Sequence, residues 1–320
     1  MRNLLLLLVM LVAPFDTLSS GMLLSLYYLL NYKNESDFPY SDRIDWVNFS
    51  IWLLMILVLI SFITGPRIPH RKEMLLMMVL LLGSYKAGRV FFDGGGDHYD
   101  FIRVVRDSFI VFSILIIVSR ILPLLNINIH GKIFQILKEF PDFRIMLFMA
   151  IFLPFVITPY GDKGKRLLSY LLAIASSMIF ILTNGRGLIL TLFIISLWIS
   201  LTTSGRGTLG FITLLIFAAF KYILKSQTFS VELFKENAPF FIVSMIIALA
   251  FTISYSKSRN AFTSAIKTSL TTFLFALSTA GASSAFKIWQ GNHWFLLLIA
   301  FAMSIAKELE ESTSRGINNE

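Results

Sequence analysis

The segment Thr183–Gly207, TNGRGLILTLFIISLWISLTTSGRG, places a Gly-Arg-Gly turn on each side of an apolar stretch. With its flanks, the stretch Leu188–Leu201 approximates the length of a membrane crossing. An arginine beside such a stretch is costly unless it reaches lipid headgroups, finds a partner or faces water. We therefore predict that Arg186 and Arg206 lie on opposite sides of a membrane, each as an interface residue that is also a candidate for function.

The composition of the whole chain extends this interpretation. Of the 320 residues, 56% are hydrophobic and 15% are charged, and the mean hydropathy is +0.74. The apolar residues form runs longer than a buried helix or strand of a soluble domain needs. The sequence predicts an all-α, polytopic transmembrane helical bundle, formed as a single integral membrane domain over residues 1–320 with a short polar tail at 307–320.

Charge and residue types narrow the classes of function. The chain has no cysteine, which removes disulfide frameworks and thiol catalysis, and its four histidines show no metal-ligand spacing. We therefore expect no metal and no cofactor. In so apolar a chain, the net charge of +9 indicates contact with phospholipid headgroups or an anionic lipid-linked substrate rather than nucleic acid.

Ten apolar segments are predicted to cross the membrane, beginning from an N-terminus on the inside. The segments are 4–30, 49–64, 74–88, 108–125, 145–160, 167–182, 188–201, 208–222, 239–255 and 294–305. We expect Pro14 and Asp16 to kink the first. This order places Arg186 inside and Arg206 outside. Lysine and arginine then divide equally between the two sides instead of favouring the inside, which is explained if the outer face needs cations to bind an anion.

Two segments leave alternatives open. Residues 262–281 are apolar but rich in serine and threonine, with Lys267 in the middle. If they lie flat on the outer surface, the chain has ten crossings and residues 307–320 are inside; if they span, it has eleven and the tail is outside. The polar stretch from Arg89 to Asp107, with three successive glycines, is predicted to be a flexible outer loop in preference to a metal site.

Residues 201–209, LTTSGRGTL, stand at the start of an apolar helix and resemble the Thr-x-Ser-Arg-Gly signature of bacterial O-antigen ligase-like membrane proteins. A later helix ends in Ser-Lys-Ser-Arg at residues 256–259, and His293 precedes a late helix, as in that family. Two features depart from the family pattern: an extra glycine stands before Arg206, and the interval between Arg259 and His293 is short and apolar.

The resemblance implies a membrane glycosyltransferase of the ligase or polymerase type in the bacterial inner membrane. It would move a glycan from an undecaprenyl-diphosphate donor to an acceptor sugar. Arg206 and Arg259 would neutralise the diphosphate, because guanidinium groups bind phosphates in a bidentate manner, and His293 would activate the acceptor hydroxyl. The alternatives are a transporter or flippase of a lipid-linked or anionic substrate, and an accessory subunit in which the arginines are only headgroup anchors and His293 an interfacial residue.

Overall fold

The computed structural model describes residues 2–13, 16–34, 45–65, 71–125, 131, 151–156, 158, 162–165, 167–169, 171–172, 175, 231–281 and 296–317. Throughout these residues the regular structure is helical and contains no strand, which confirms the predicted all-α class. The chain divides into two compact units, residues 1–101 with 230–320, and residues 102–229.

The longer helices have the following bounds: α1 Arg2–Val12, α2 Thr17–Asn31, α3 Trp46–Thr64, α4 Arg71–Asp93, α5 His98–Leu124, α6 Val231–Ser254, α7 Ala261–Gly281 and α8 Leu296–Ile317. The tail predicted as a short polar segment from residue 307 therefore continues α8 as far as Ile317.

Helix α4 is the centre of the first unit and packs against α2, α3 and α8. Two glycines allow the close approach. A Cβ added to Gly83 would lie 2.3 Å from Ser25 Oγ of α2, and one added to Gly88 would lie 2.4 Å from the carbonyl oxygen of Phe301 in α8. Small residues at helix crossings let backbones approach and increase van der Waals contact. The packing of α4 therefore depends on these two positions.

The first apolar segment, predicted as one kinked helix, forms two helices. The carboxylate of Asp16 accepts hydrogen bonds from the backbone N–H groups of Leu18 and Ser19 and so caps the start of α2. Helices α1 and α2 pack against each other, and Ser20 Oγ donates to the carbonyl oxygen of Val9, eleven residues earlier, at 3.0 Å. Neither helix alone has the roughly 20 residues of a full crossing.

The loop predicted from Arg89 to Asp107 is much shorter in the structure. Helix α4 continues to Asp93 and α5 begins at His98, so the connection is residues 94–97. Backbone bonds from all three glycines to carbonyl groups of α4 close it, and Gly95 adopts a φ of +80°, which favours glycine. Within the described part of the chain no group of side chains is arranged to hold a metal.

Helix α3 has an unusual distribution of side chains. Its buried face includes Ser50 and Ser61, whereas Trp52, Ile56 and Ile63 are exposed. By length and composition, α3 and α4 are the two helices in the described ranges that could cross a membrane. Several of the other predicted crossings lie wholly or partly outside the described residues, so ten or eleven crossings stay a prediction.

In the second unit, a buried arginine ties α5 to a helical segment at residues 151–156. Arg106 is 3% exposed. Its Nε donates to the carbonyl oxygen of Val156 at 3.0 Å, and a terminal nitrogen donates to that of Thr158. Carbonyl groups at a helix end are otherwise unsatisfied, so the guanidinium stabilises that end. Near the surface, Lys165 pairs with Asp107 at 2.9 Å.

Candidate functional site

Charged and polar side chains of α3, α4 and α8 meet at one end of the first unit. We call them the polar cluster and define it as Asp45, Tyr85, Arg89, Asp93, Lys307, Glu308 and Glu311. Asp45 precedes α3, whereas Arg89 and Asp93 close α4 and the last three residues lie in the later turns of α8. The N-terminal end of α3 therefore lies together with the C-terminal parts of α4 and α8.

Asp45 connects three helices. Its carboxylate accepts the backbone N–H of Asn48 at 3.1 Å and so caps α3. It also accepts the hydroxyl of buried Tyr85 at 3.1 Å and the ammonium of Lys307 at 2.8 Å. The ion pair is largely withdrawn from solvent, because Asp45 and Lys307 are 17% and 16% exposed. A pair in such surroundings holds its helices together only while both partners are present.

Arg89 forms the second part of the cluster. Its Nε lies 3.9 Å from a carboxylate oxygen of Asp93 and 3.5 Å from one of Glu308. Glu308 follows the apolar part of α8, and its burial raises the pKa of the carboxyl above its ordinary value, while Arg89 acts in the opposite direction. Carboxylates outnumber cations in the polar cluster, so the cluster itself is unsuited to bind an anion.

Beside the cluster, residues 255–260 connect α6 to α7, and we call them the α6–α7 turn. The N–H of Ser258 donates to the carbonyl of Tyr255 at 3.0 Å, and Asn260 Oδ1 accepts the N–H of Phe262 at 2.8 Å. From α7, Lys267 Nζ donates to the Tyr255 carbonyl. A six-residue connection with these bonds has a fixed conformation.

Glu310 of α8 joins the α6–α7 turn to the end of the last helix. Its Oε1 accepts the hydroxyl of Ser258 and, at 2.7 Å, the hydroxyl of Thr263. Thr263 is fully buried. The turn is thus held from α8 as well as from α7.

An aromatic layer links the same helix ends. The ring centroids of Phe91 and Phe301 are 5.6 Å apart, those of Phe101 and Phe301 are 5.9 Å apart, and those of Phe101 and Phe262 are 5.9 Å apart. His98 contacts Phe262 at 5.6 Å between centroids and is 5% exposed. Edge-on and tilted pairs at these separations are favourable, and they fix the start of α5 and α7 against α8.

Of the three residues proposed for catalysis, the structure describes Arg259. It lies in the α6–α7 turn with an exposed side chain. Within the described residues no carboxylate forms an ion pair with it, although the polar cluster is rich in carboxylates. Arg206 and His293 lie outside the described residues, so the predicted convergence of the three stays a prediction.

The polar cluster is not among the predicted site residues, although part of it has a signal in the sequence. Opposite charges four residues apart lie on one face of a helix. This spacing occurs twice in the cluster, in Arg89 with Asp93 and in Lys307 with Glu311. No sequence pattern indicates that Asp45 meets Lys307, 262 residues later in the chain.

In comparisons with known proteins, the chain shows no significant match to a family model, to a curated protein or to a solved structure.

Proposed function

We propose that the chain is a multi-pass protein of the bacterial inner membrane. The distribution of side chains on α3 supports this, because the exposed face carries large apolar groups, whereas the buried face combines apolar residues with two serines. In water this arrangement would expose a costly apolar patch. In lipid it is favourable, because small polar side chains bond inside the bundle and large apolar ones contact the acyl chains.

Contacts of the polar cluster and the α6–α7 turn support the alternative in which residues 262–281 span the membrane. Lys307 pairs with Asp45, and Glu310 bonds to Ser258, so the end of α8 lies on the side of the first predicted outer loop. Helix α7 has 21 residues and begins at this end. Its serines and threonines make it less apolar over a membrane-length window than α3 and α4, but at 1.5 Å per residue it is about 31 Å long, which matches the thickness of a bilayer core.

A labelling experiment tests this topology. Ser312→Cys and Lys257→Cys, each the single cysteine of its chain, should react with a membrane-impermeant thiol reagent from the same side of the membrane. Thr64→Cys, at the opposite end of α3, should react from the other side. Labelling of Ser312→Cys and Lys257→Cys from opposite sides would contradict a crossing by residues 262–281.

For the function, we propose transfer of a glycan from an undecaprenyl-diphosphate donor to an acceptor sugar, as the family resemblance implies. The observation that carries this proposal is Arg259, a cation on a fixed turn, exposed and without an ion pair within the described ranges. An exposed guanidinium at the end of a membrane helix is placed to bind a diphosphate at the headgroup level.

Arg259 would act on the leaving group. As the glycosidic bond to the diphosphate breaks, negative charge grows on the phosphate oxygens, and a guanidinium in place stabilises that charge. Arg206 is proposed to share this role, and His293 to remove the proton of the acceptor hydroxyl. The proposal requires no nucleotide and no metal in these steps.

The test is glycan transfer in membranes that contain equal amounts of each variant. Arg259→Ala should lose about tenfold to a hundredfold of the activity, since a charged hydrogen bond contributes about 1.5–3 kcal/mol. Arg259→Lys should recover only part of it, because lysine keeps the charge but not the paired donors. Lys257→Ala, also an exposed cation of the same turn, is the matched control and should keep full activity.

Full transfer by Arg259→Ala would overturn the role of Arg259. The transporter alternative would be established if the unaltered protein moved a labelled lipid-linked glycan across vesicle membranes without forming a glycosidic bond, and if Arg259→Ala abolished that movement.

A further inference from the structure

The α6–α7 turn is held by a single carboxylate from a distant part of the chain. Glu310 lies 52 residues after Ser258 and 47 after Thr263, and one of its oxygens accepts both hydroxyls. Ser258 and Thr263 stand on either side of Arg259, the first within the turn and the second at the start of α7. The carboxylate therefore bridges the two ends of the short segment that carries Arg259.

The hydroxyl of Ser258 has two functions in this arrangement. It donates to Glu310 and also accepts the backbone N–H of Asn260 at 3.2 Å. The side chain of Asn260 then caps α7 by accepting the N–H of Phe262. Arg259 lies between these two residues, so its Cα position and the direction of its Cβ are set by the chain of bonds that begins at Glu310.

A carboxylate is well suited to hold such a turn. An ionised acceptor forms stronger bonds to hydroxyls than a neutral one, and Glu310 satisfies two donors at one oxygen. An exposed arginine loses conformational entropy when it binds a ligand, and a fixed backbone removes part of that cost. Glu310 does not have to touch the ligand to affect its binding.

We propose that Glu310 is a positioning residue, which holds the α6–α7 turn through Ser258 and Thr263 and thereby orients Arg259 toward an anionic lipid diphosphate. The hold on the turn follows from the hydrogen bonds alone. The consequence for ligand binding rests on the function proposed above for Arg259.

The first experiment measures the turn without reference to activity. Because the chain has no cysteine, Arg259→Cys provides one site for a nitroxide spin label, whose mobility is read by electron paramagnetic resonance in micelles. Combining it with Glu310→Ala should make the label markedly more mobile. Glu310→Gln should keep it restrained, because the amide oxygen still accepts both hydroxyls. Ser312→Ala, at an exposed position of α8 two residues from Glu310, is the control and should leave the mobility unchanged.

The second experiment uses the chain with Arg259 in place and measures the kinetics of glycan transfer. A misoriented Arg259 would bind the donor diphosphate less well and would also stabilise less of the charge that grows on it, so both an increase in KM and a decrease in kcat are expected. Glu310→Ala should raise the KM for the lipid-linked donor by about threefold to tenfold, the effect of one or two ordinary hydrogen bonds. Ser258→Ala, which removes one of the two hydroxyls, should raise the donor KM less than Glu310→Ala does. Glu310→Gln should leave the donor KM close to that of the unaltered chain.

The outcomes separate this inference from the proposed function. Equal label mobility in the presence and absence of the Glu310→Ala substitution would overturn the inference. Increased mobility with an unchanged donor KM, in a protein that needs Arg259 for transfer, would overturn the positioning role. Increased mobility in a protein that keeps full transfer after Arg259→Ala would support the hold on the turn and overturn the proposed function.

Discussion

Among substitutions in the polar cluster, Asp45→Ala is expected to lower the free energy of unfolding most. Asp45 caps α3 through the N–H of Asn48, accepts the hydroxyl of Tyr85 and pairs with Lys307 at 2.8 Å. Alanine would remove all three interactions. It would leave the Lys307 ammonium, only 16% exposed, with the longer contact of 4.0 Å to Glu311 in place of the 2.8 Å pair.

The size of the effect follows from these contacts. Loss of a helix cap costs about 1 kcal/mol. Removal of one partner from a fully buried ion pair costs about 3–5 kcal/mol, and the residual exposure of both partners places this pair at or below the lower limit. We expect a total loss of about 3 kcal/mol in the free energy of unfolding. Asp45→Asn should lose clearly less, because asparagine caps a helix as well as aspartate does.

Reversible unfolding in mixed micelles, titrated with a denaturing detergent, measures these free energies. A double-mutant cycle with Lys307→Met should give a coupling energy of about 1–3 kcal/mol between positions 45 and 307. Lys33→Met, at an exposed lysine, is the control and should show no coupling to position 45. Effects of Asp45→Ala and Lys307→Met that add within about 0.5 kcal/mol would refute the reasoning.

Three further substitutions test other contacts. Gly88→Ala would place a Cβ 2.4 Å from the Phe301 carbonyl oxygen, so we expect the unfolding free energy to fall by about 1–3 kcal/mol in the same titration; an unchanged value would contradict the close crossing. Lysine lacks the planar fork with which two nitrogens of Arg106 reach separate carbonyl groups, so the thermal midpoint of Arg106→Lys should fall, whereas Lys163→Arg at an exposed position should have no effect; equal midpoints would contradict the buried role. The raised pKa of Glu308 means that its contribution to stability is present below the ordinary glutamate pKa and lost as pH rises through the raised value. Glu308→Gln should therefore flatten the fall in the unfolding midpoint as the pH rises above the ordinary glutamate pKa, and an unchanged slope would contradict this.

Hydropathy alone located the helices that contain a long uninterrupted run of apolar residues. The predicted segments 49–64 and 74–88 lie within α3 and α4, because runs of this length without charges have few alternatives to a helix. Hydropathy was misleading where helices continue through polar sequence. Arg89 and Asp93 remain helical because Glu308 of α8 contributes a partner for Arg89, and a sequence window cannot include a residue from another helix.

The site was predictable to a smaller extent. The sequence predicts Arg259 as a cation on the outer side of the membrane. The structure shows that its side chain is exposed, and the side of the membrane on which it lies stays a prediction. The groups that fix its surroundings were not identifiable, since Glu310 stood in a stretch that was interpreted as a polar tail. A polar tail and the polar end of a helix such as α8 have the same composition. The contacts of Glu310 with Ser258 and Thr263 distinguish them in the structure.

The polar cluster is acidic and lies beside the turn that carries Arg259, where an anionic ligand is proposed to bind. Free carboxylates nearby would repel a diphosphate, but those of the cluster lie within 2.8–4.0 Å of a cation on the same side of the unit. Two cations do not neutralise four carboxylates, but burial raises the pKa of Glu308 and so favours its neutral form, and salt screens the remaining charge within about 8–10 Å. Arg259 stands outside these pairs, and the carboxylate that holds its turn is bonded to two hydroxyls. The same end of the unit can therefore hold α3, α4 and α8 together by ion pairs and still present one cation to an anion.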